Sequence, residues 1–167
     1  NQIMKAVEKF VKFCESDFGK KILEKEAEYV YQEFRNCQNI LDIGCGIGQF
    51  EQRLSELNII GLDNFEEMLD EAKKRSKKTF VLGNAENMPF KNSSFDGVFY
   101  VATLEFVSDY KKVIGEAYRV TKPNGKLLVL MLNPESEYFH EHFQRRDSYF
   151  RRIKHINLRE VREQISK

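Results

Sequence analysis

Tryptophan is absent from the 167 residues, and cysteine and proline occur only three times each. The cysteines, Cys14, Cys37 and Cys45, form no C-x-x-C pair and have no histidine at metal-ligand spacing. That removes the usual support for a zinc site or a disulfide framework, so reduced thiols and no metal are expected. An excess of one charge is also lacking: 27 Lys and Arg stand against 26 Asp and Glu, a net charge of +1. No whole-molecule field therefore draws the chain toward nucleic acid or acidic membranes. No apolar run approaches the roughly 20 residues of a membrane-spanning helix, and the first turns are amphipathic and charged rather than a signal-peptide core. The expectation is a soluble, cytoplasmic protein without a membrane partner. The first residue is Asn rather than Met, which reads as a trimmed or incompletely ordered N-terminus.

What is present is a hydrophobic fraction of 41% with 14 Phe and 7 Tyr, enough for one packed interior. Ile3, Val7, Phe10, Val11 and Phe13 recur at helical spacing, as do Ile22, Leu23, Ala27, Val30, Tyr31 and Phe34, with Ser16, Asp17 and Gly19 as the break between two helices. From residue 39 the pattern alternates. Strands are expected at 39–43, 59–62, 79–82, 97–101 and 126–132, and helices at 49–57, 65–76 and 110–120. Residues 122–125 read as the turn before the fifth strand. Such alternation selects an α/β fold with a parallel sheet covered on both faces, because each crossover helix buries its apolar stripe against the strands. Asn157 with Glu160 reads as a capping box opening a last helix at 158–165.

The most informative stretch is ILDIGCGIGQF at residues 40–50: an apolar strand, then Gly44, Gly46 and Gly48 at alternate positions, then a helix. Glycines there let backbone N–H groups approach a ligand without a Cβ in the way. The dinucleotide fingerprint G-x-G-x-x-G fails, since Gln49 stands where its third glycine would fall. Asp63 follows at the end of the second strand, where a carboxylate can accept from both hydroxyls of a ribose. A solvated strand-end Asp is the competing reading.

With Asp42 ahead of it, G-x-G-x-G resembles the first motif of class I S-adenosylmethionine-dependent methyltransferases. LGNAENMPF at 82–90, SFDGVFYVATLEFV at 94–107 and EAYRVTKPNG at 116–125 are similar to their type 11 branch. The resemblance covers about residues 18–132. It implies a Rossmann-like, doubly wound, mostly parallel sheet of strand order 3-2-1-4-5 behind N-terminal helices, with S-adenosylmethionine as cofactor. It further implies that Asp42, Gly44, Gly46 and Gly48 serve the methionine and ribose parts, and Asp63 the ribose hydroxyls. Asn64 and Phe65 would flank the adenine, and Asn84, Ala85 and Glu86 would form the loop that reads its edge. Asn84 replaces the family's usual acid there; its carbonyl can still accept from the adenine amino group. The expected organisation is one domain: a helical cover at 1–36, a cofactor-binding core at 37–132 and a helical, substrate-side segment at 133–167. In the family the N-terminal region often closes over the cofactor as a lid, here carrying Phe10, Phe13 and Phe18; an ordinary sheet-covering helix is the competing reading.

Methyl transfer is an in-line displacement that asks mainly for alignment and desolvation, with a base only where the acceptor must lose a proton. Tyr100, at the end of the fourth strand, borders the expected position of the reactive methyl and is both a cofactor-contact and a catalytic candidate; a packed aromatic is the competing reading. Glu105, where many type 11 relatives carry His, and His140, beyond the fifth strand, are the other catalytic candidates, each set against an exposed surface position. Asn133 with Pro134 resembles the Asn-Pro motif of amino-methylating nucleic-acid enzymes but follows the wrong strand.

Seven basic residues between Gln144 and Arg162 against Asp147 and Glu160 give +5 locally, interleaved with Tyr149, Phe150 and His155. Such a patch suits RNA or a phosphorylated substrate, or simply a solvated face. The family's antiparallel C-terminal hairpin has no strand candidates before Lys167. The function expected is methyl transfer to a small-molecule acceptor. The alternatives are a catalytically silent cofactor-binding module regulating a partner, an RNA-directed methyltransferase using the basic patch, and aminopropyl transfer.

Overall fold

The computed structural model describes residues 2–101 and 109–130. The two N-terminal helices are α1 (Gln2–Glu15) and α2 (Asp17–Phe34). Ser16 separates them with extended backbone, its hydroxyl accepting from the Gly19 N–H and so capping α2. Gly19 is not a breaker, as the sequence had suggested, but a buried member of α2. A Cβ on it would stand 1.8 Å from the Phe13 carbonyl oxygen, so glycine is what lets the end of α1 close onto the first turn of α2.

Five strands follow, β1 (Ile40–Ile43), β2 (Ile59–Asp63), β3 (Thr79–Leu82), β4 (Phe95–Val101) and β5 (Thr121–Leu130), with helices α3 (Gln49–Arg53), α4 (Glu66–Arg75) and α5 (Tyr110–Val120) between them. The sheet order is β3-β2-β1-β4-β5 and every pair is parallel, the order the sequence implies. β1 is central and buried on both faces, which explains its uninterrupted apolar run apart from Asp42. Alternation sends Leu41 and Ile43 to the face covered by α5, where Val113, Ile114, Ala117 and Val120 pack on Val98 and Tyr100. Ile40 goes to the opposite face with Phe99, under α2, α3 and α4, where Phe34 and Phe50 meet the Phe99 ring. Each fully buried Val or Ile of α5 contributes about 1.5–3 kcal/mol to holding that layer.

Two elements differ from the sequence reading. α3 ends at Arg53 rather than at residue 57, because Leu54 leaves helical geometry (φ −110, ψ 54) as Leu54 and Leu57 turn inward to the core. β5 begins at Thr121, paired with Phe95, and Lys126 pairs with Gly97. The turn residues 122–125 are therefore looped out of the strand instead of preceding it. Asp96 fixes the amino end of β4 by accepting from the Gln38 and Asn39 N–H groups, which hold its carboxyl below the usual range against the effect of burial. The expected last helix, Asn133 with Pro134, and the basic patch lie outside the described residues. No helix among the described residues is long and apolar enough to cross a membrane.

Candidate functional site

The chain leaves β1 toward β2 and β3 on one side and reaches β4 and β5 on the other, so the direction of winding reverses between β1 and β4. The carboxyl end of such a reversal opens into a crevice in doubly wound sheets. The loop from Gly44 to Gly48 lies there, and all three of its glycines are left-handed, with φ of 70, 55 and 77. A side chain at any of them would be strained. The loop is pinned from below, Gly44 and Cys45 both donating to the Leu62 carbonyl at 2.7 and 2.9 Å.

Asp63, at the end of β2, faces this loop. One carboxylate oxygen accepts from the Gly46 N–H at 2.9 Å and the other from the Phe65 N–H at 2.9 Å. A carboxylate has about four acceptor positions, so capacity remains for a hydroxyl donor. Burial raises its pKa, and the N–H groups of Phe65, Gly46 and Asn64 pull it back toward ionisation. Asn64 and Phe65 begin the turn into α4. The Phe65 ring is 47% exposed and Leu82, at the end of β3, is 54% exposed, so apolar side chains stand uncovered at adjacent strand ends.

The third predicted segment folds as a compact turn. The Asn84 side-chain carbonyl accepts from the Glu86 N–H, Ala85 packs against the core, and the Glu86 carboxylate accepts from the Asp109 N–H at 2.8 Å. Residues 88–92 are clamped to α5. Arg119 donates to the carbonyls of Met88 and Phe90 and to Asn92, while Glu116 accepts from Arg119 and from the Met88 N–H. The Arg119 hydrogen bond is the main reason the Glu116 carboxyl sits below its usual range. Sequence reasoning did not single out this clamp, since two charges one helical turn apart normally face solvent.

Tyr100 is fully buried, and its hydroxyl donates to the Val113 carbonyl of α5 at 2.9 Å. Burial, with the Glu116 charge adding to it, pushes the phenol well above its ordinary value. This geometry is that of a packed aromatic joining sheet to helix. Glu105 and His140 lie outside the described residues.

Asp42 lies on β1 below the loop, 1% exposed, on the same sheet face as Ile40. Beside it is a residue that sequence reasoning passed over, Glu51 of α3, also 1% exposed and within hydrogen-bonding reach of Asp42. Its signal was legible: Ile47, Phe50, Glu51 and Leu54 fall at i, i+3, i+4 and i+7, so Glu51 occupies a core-facing position. Burial and then the neighbouring Glu51 charge push the Asp42 carboxyl far up. Burial raises Glu51 to about 7, with Asp42, a backbone N–H and Lys78 pulling the other way. Above the loop, α1 brings Phe10 so close that a Cβ on Gly46 would be 3.0 Å from its ring. The N-terminal helix thus packs directly on the glycine loop.

These residues fit a sulfonium nucleoside: a glycine cradle free of Cβ atoms, a strand-end carboxylate with acceptor capacity to spare, exposed apolar side chains for a base, and, among the described residues, buried carboxyl oxygens without a partner to balance positive charge.

Comparison with known proteins points the same way. Residues 41–129 match the type 11 methyltransferase domain. Demethylmenaquinone methyltransferase of Thermotoga maritima is 36% identical over 104 residues, covering 59% of this chain and 45% of that protein. A crystal structure from Thermotoga maritima, described as an S-adenosylmethionine-dependent methyltransferase and possible histamine N-methyltransferase, superposes with TM-score 0.74 at 28% identity, covering 86% of this chain and 69% of the other. A methyltransferase structure from Archaeoglobus fulgidus has TM-score 0.78 at 20% identity over 94% of this chain and 72% of its own, a likeness of fold. The chain spans about half the length of the curated relatives it matches. With the domain match running from β1 into β5 and the sheet order the same as read from the sequence, the chain belongs to the type 11 branch of the class I S-adenosylmethionine-dependent methyltransferases.

Proposed function

We propose that this protein binds S-adenosylmethionine at the glycine loop and transfers its methyl group to a small-molecule acceptor. The observation that carries the reading is the tie between the loop and β2: three left-handed glycines, with the central N–H held by Asp63. In this reading Asp63 accepts from the ribose hydroxyls, and Phe65 and Leu82 flank the adenine. Asn84 and the Ala85 N–H read the adenine edge, with Glu86 holding their loop to Asp109. Gly44 to Gly48, with Asp42 beneath, receive the methionine end. Tyr100 supports the floor through its bond to Val113 and takes no part in proton transfer. Phe10 and the rest of α1 exclude water from the loop, and residues 1–36, 37–132 and 133–167 act as cover, cofactor core and substrate side of one domain.

The bound cofactor supplies a methyl group on a positively charged sulfur, already activated for displacement. The protein's share is therefore alignment and desolvation, worth several kcal/mol when reacting atoms are held about 3–3.5 Å apart. The similarity to demethylmenaquinone methyltransferase favours a small, largely apolar acceptor over a macromolecule. Calorimetric titration with S-adenosylmethionine, S-adenosylhomocysteine and NAD in parallel tests the reading. Saturable binding of the first two without the third, followed by label transfer from methyl-labelled cofactor to a panel of phenolic, amine and sterol acceptors, is the expected result. Binding of NAD in their place would refute it.

A further inference from the structure

Asp42 and Glu51 occupy the core beneath the glycine loop, and neither Asp42 Oδ2 nor either Glu51 oxygen meets a hydrogen-bond donor among the described residues. Two ionised carboxyls this close in a low-dielectric interior repel strongly unless a positive charge offsets them, so without one the pair favours holding a proton. The pair resembles no surface cluster: both side chains are fully enclosed, one on the central strand and one on the helix that follows the loop.

The groups around the pair come from every side. The loop contributes the buried Cys45 thiol, β2 contributes Asp63, and β4 places Phe99 beside Asp42 in register. α1 brings the apolar Phe10 down on Gly46. The cation acting on Glu51 is Lys78, whose ammonium is already donated to the carbonyls of Ser55 and Leu57. Among the described residues the acidic cluster thus has no close ion pair of its own, and the glycine loop above it is where positive charge would offset it. On its other side Glu51 borders a cleft of about 410 Å3 together with Arg75 and Lys78.

Resting on the cofactor site proposed above, we propose that Glu51 is a positioning residue for the cofactor: by sharing one proton with Asp42 it couples capture of a positively charged nucleoside on the glycine loop to release of that proton. Before capture the pair carries one proton and one negative charge. Afterwards it carries two negative charges, and the proton has passed to the solvent. No bond other than the carboxyl O–H breaks.

The test is calorimetric titration of the full chain with S-adenosylmethionine and S-adenosylhomocysteine, in buffers of different ionisation enthalpy, between about pH 6 and 8. The expected result is an affinity for S-adenosylmethionine that rises about tenfold across that range with buffer-dependent heat. The rise is smaller for S-adenosylhomocysteine, which lacks the sulfonium charge. Glu51→Gln keeps the shape but removes one carboxyl of the pair and the like charge that raises Asp42, so the rise of affinity with pH is much reduced. Wild-type binding with no pH dependence and no buffer-dependent heat would overturn the proposal alone, as would a wild-type slope in a folded Glu51→Gln. If that variant does not fold, the wild-type buffer series decides by itself. Absence of binding at every pH would overturn the proposal together with the cofactor site.

Discussion

Asp63 holds two positions at once, since the carboxylate that fixes the Gly46 and Phe65 N–H groups is also the one placed to accept from a ribose. Asp63→Ala removes both functions, and its expected cost in cofactor affinity is about 1–3 kcal/mol. Titration calorimetry reads it directly, and an effect within assay error would contradict the role. Asp63→Asn separates the two functions, because an amide oxygen still accepts one N–H while the charge is gone. Gly46 is the matching position on the loop. Alanine there would have to adopt φ near 55 and would crowd Phe10 at 3.0 Å. Gly46→Ala is expected to lower stability by about 1–2 kcal/mol, measured by urea unfolding, and to weaken cofactor binding as well. Unchanged stability would mean that α1 can move off the loop at little cost.

At the scale of elements, the alternation from residue 39 onward was readable because each strand and helix carries its own apolar pattern and punctuation. The sheet order came from the resemblance, and the paired registers bear it out. What could not be read were features set by distant contacts. The early end of α3 depends on where Leu54 and Leu57 find the core, and the looping out of 122–125 depends on Thr121 pairing with Phe95. At the site, the glycines and Asp63 were legible because their spacing is local. Glu51 was not weighed, although its place in an apolar stripe marked it, and the commitment of the Tyr100 hydroxyl to Val113 belongs to tertiary packing. The Arg119 clamp is likewise tertiary: it ties residues 88–92 to α5 through carbonyls that no sequence pattern announces. Arg119→Ala leaves those carbonyls to find new partners. The variant should lose about 1–3 kcal/mol of stability, and its amides at 83–93 should exchange faster with deuterium. Exchange confined to wild-type rates in that loop would show that Glu86 and the turn at Asn84 suffice to hold it.

For the whole molecule the buried carboxyls give stability a definite pH dependence. Glu51 moves from 4.5 when unfolded to about 7 when folded, and Asp42 and Asp63 move in the same direction. A carboxyl with a raised folded value binds its proton more tightly in the native state. The unfolded chain therefore gains by ionising first, and native stability falls as the pH climbs from the unfolded value toward the folded one. Asp96 and Glu116 have lowered values, so their contribution is present above the unfolded carboxylate range and is lost as the pH drops below it. The two tendencies cross in the ordinary carboxylate range, so the melting temperature should be highest near about pH 4–4.5 and decline toward about pH 8. Glu51→Gln removes one acid from the declining limb. It should therefore flatten that limb and leave the protein more stable than wild type at about pH 8, by on the order of 1–3 kcal/mol. Thermal unfolding of both chains across this range checks it. A wild-type melting temperature that rises steadily from pH 5 to 8 would show that the pair is solvated or already paired with a cation, and the charge assignment beneath the glycine loop would fall with it.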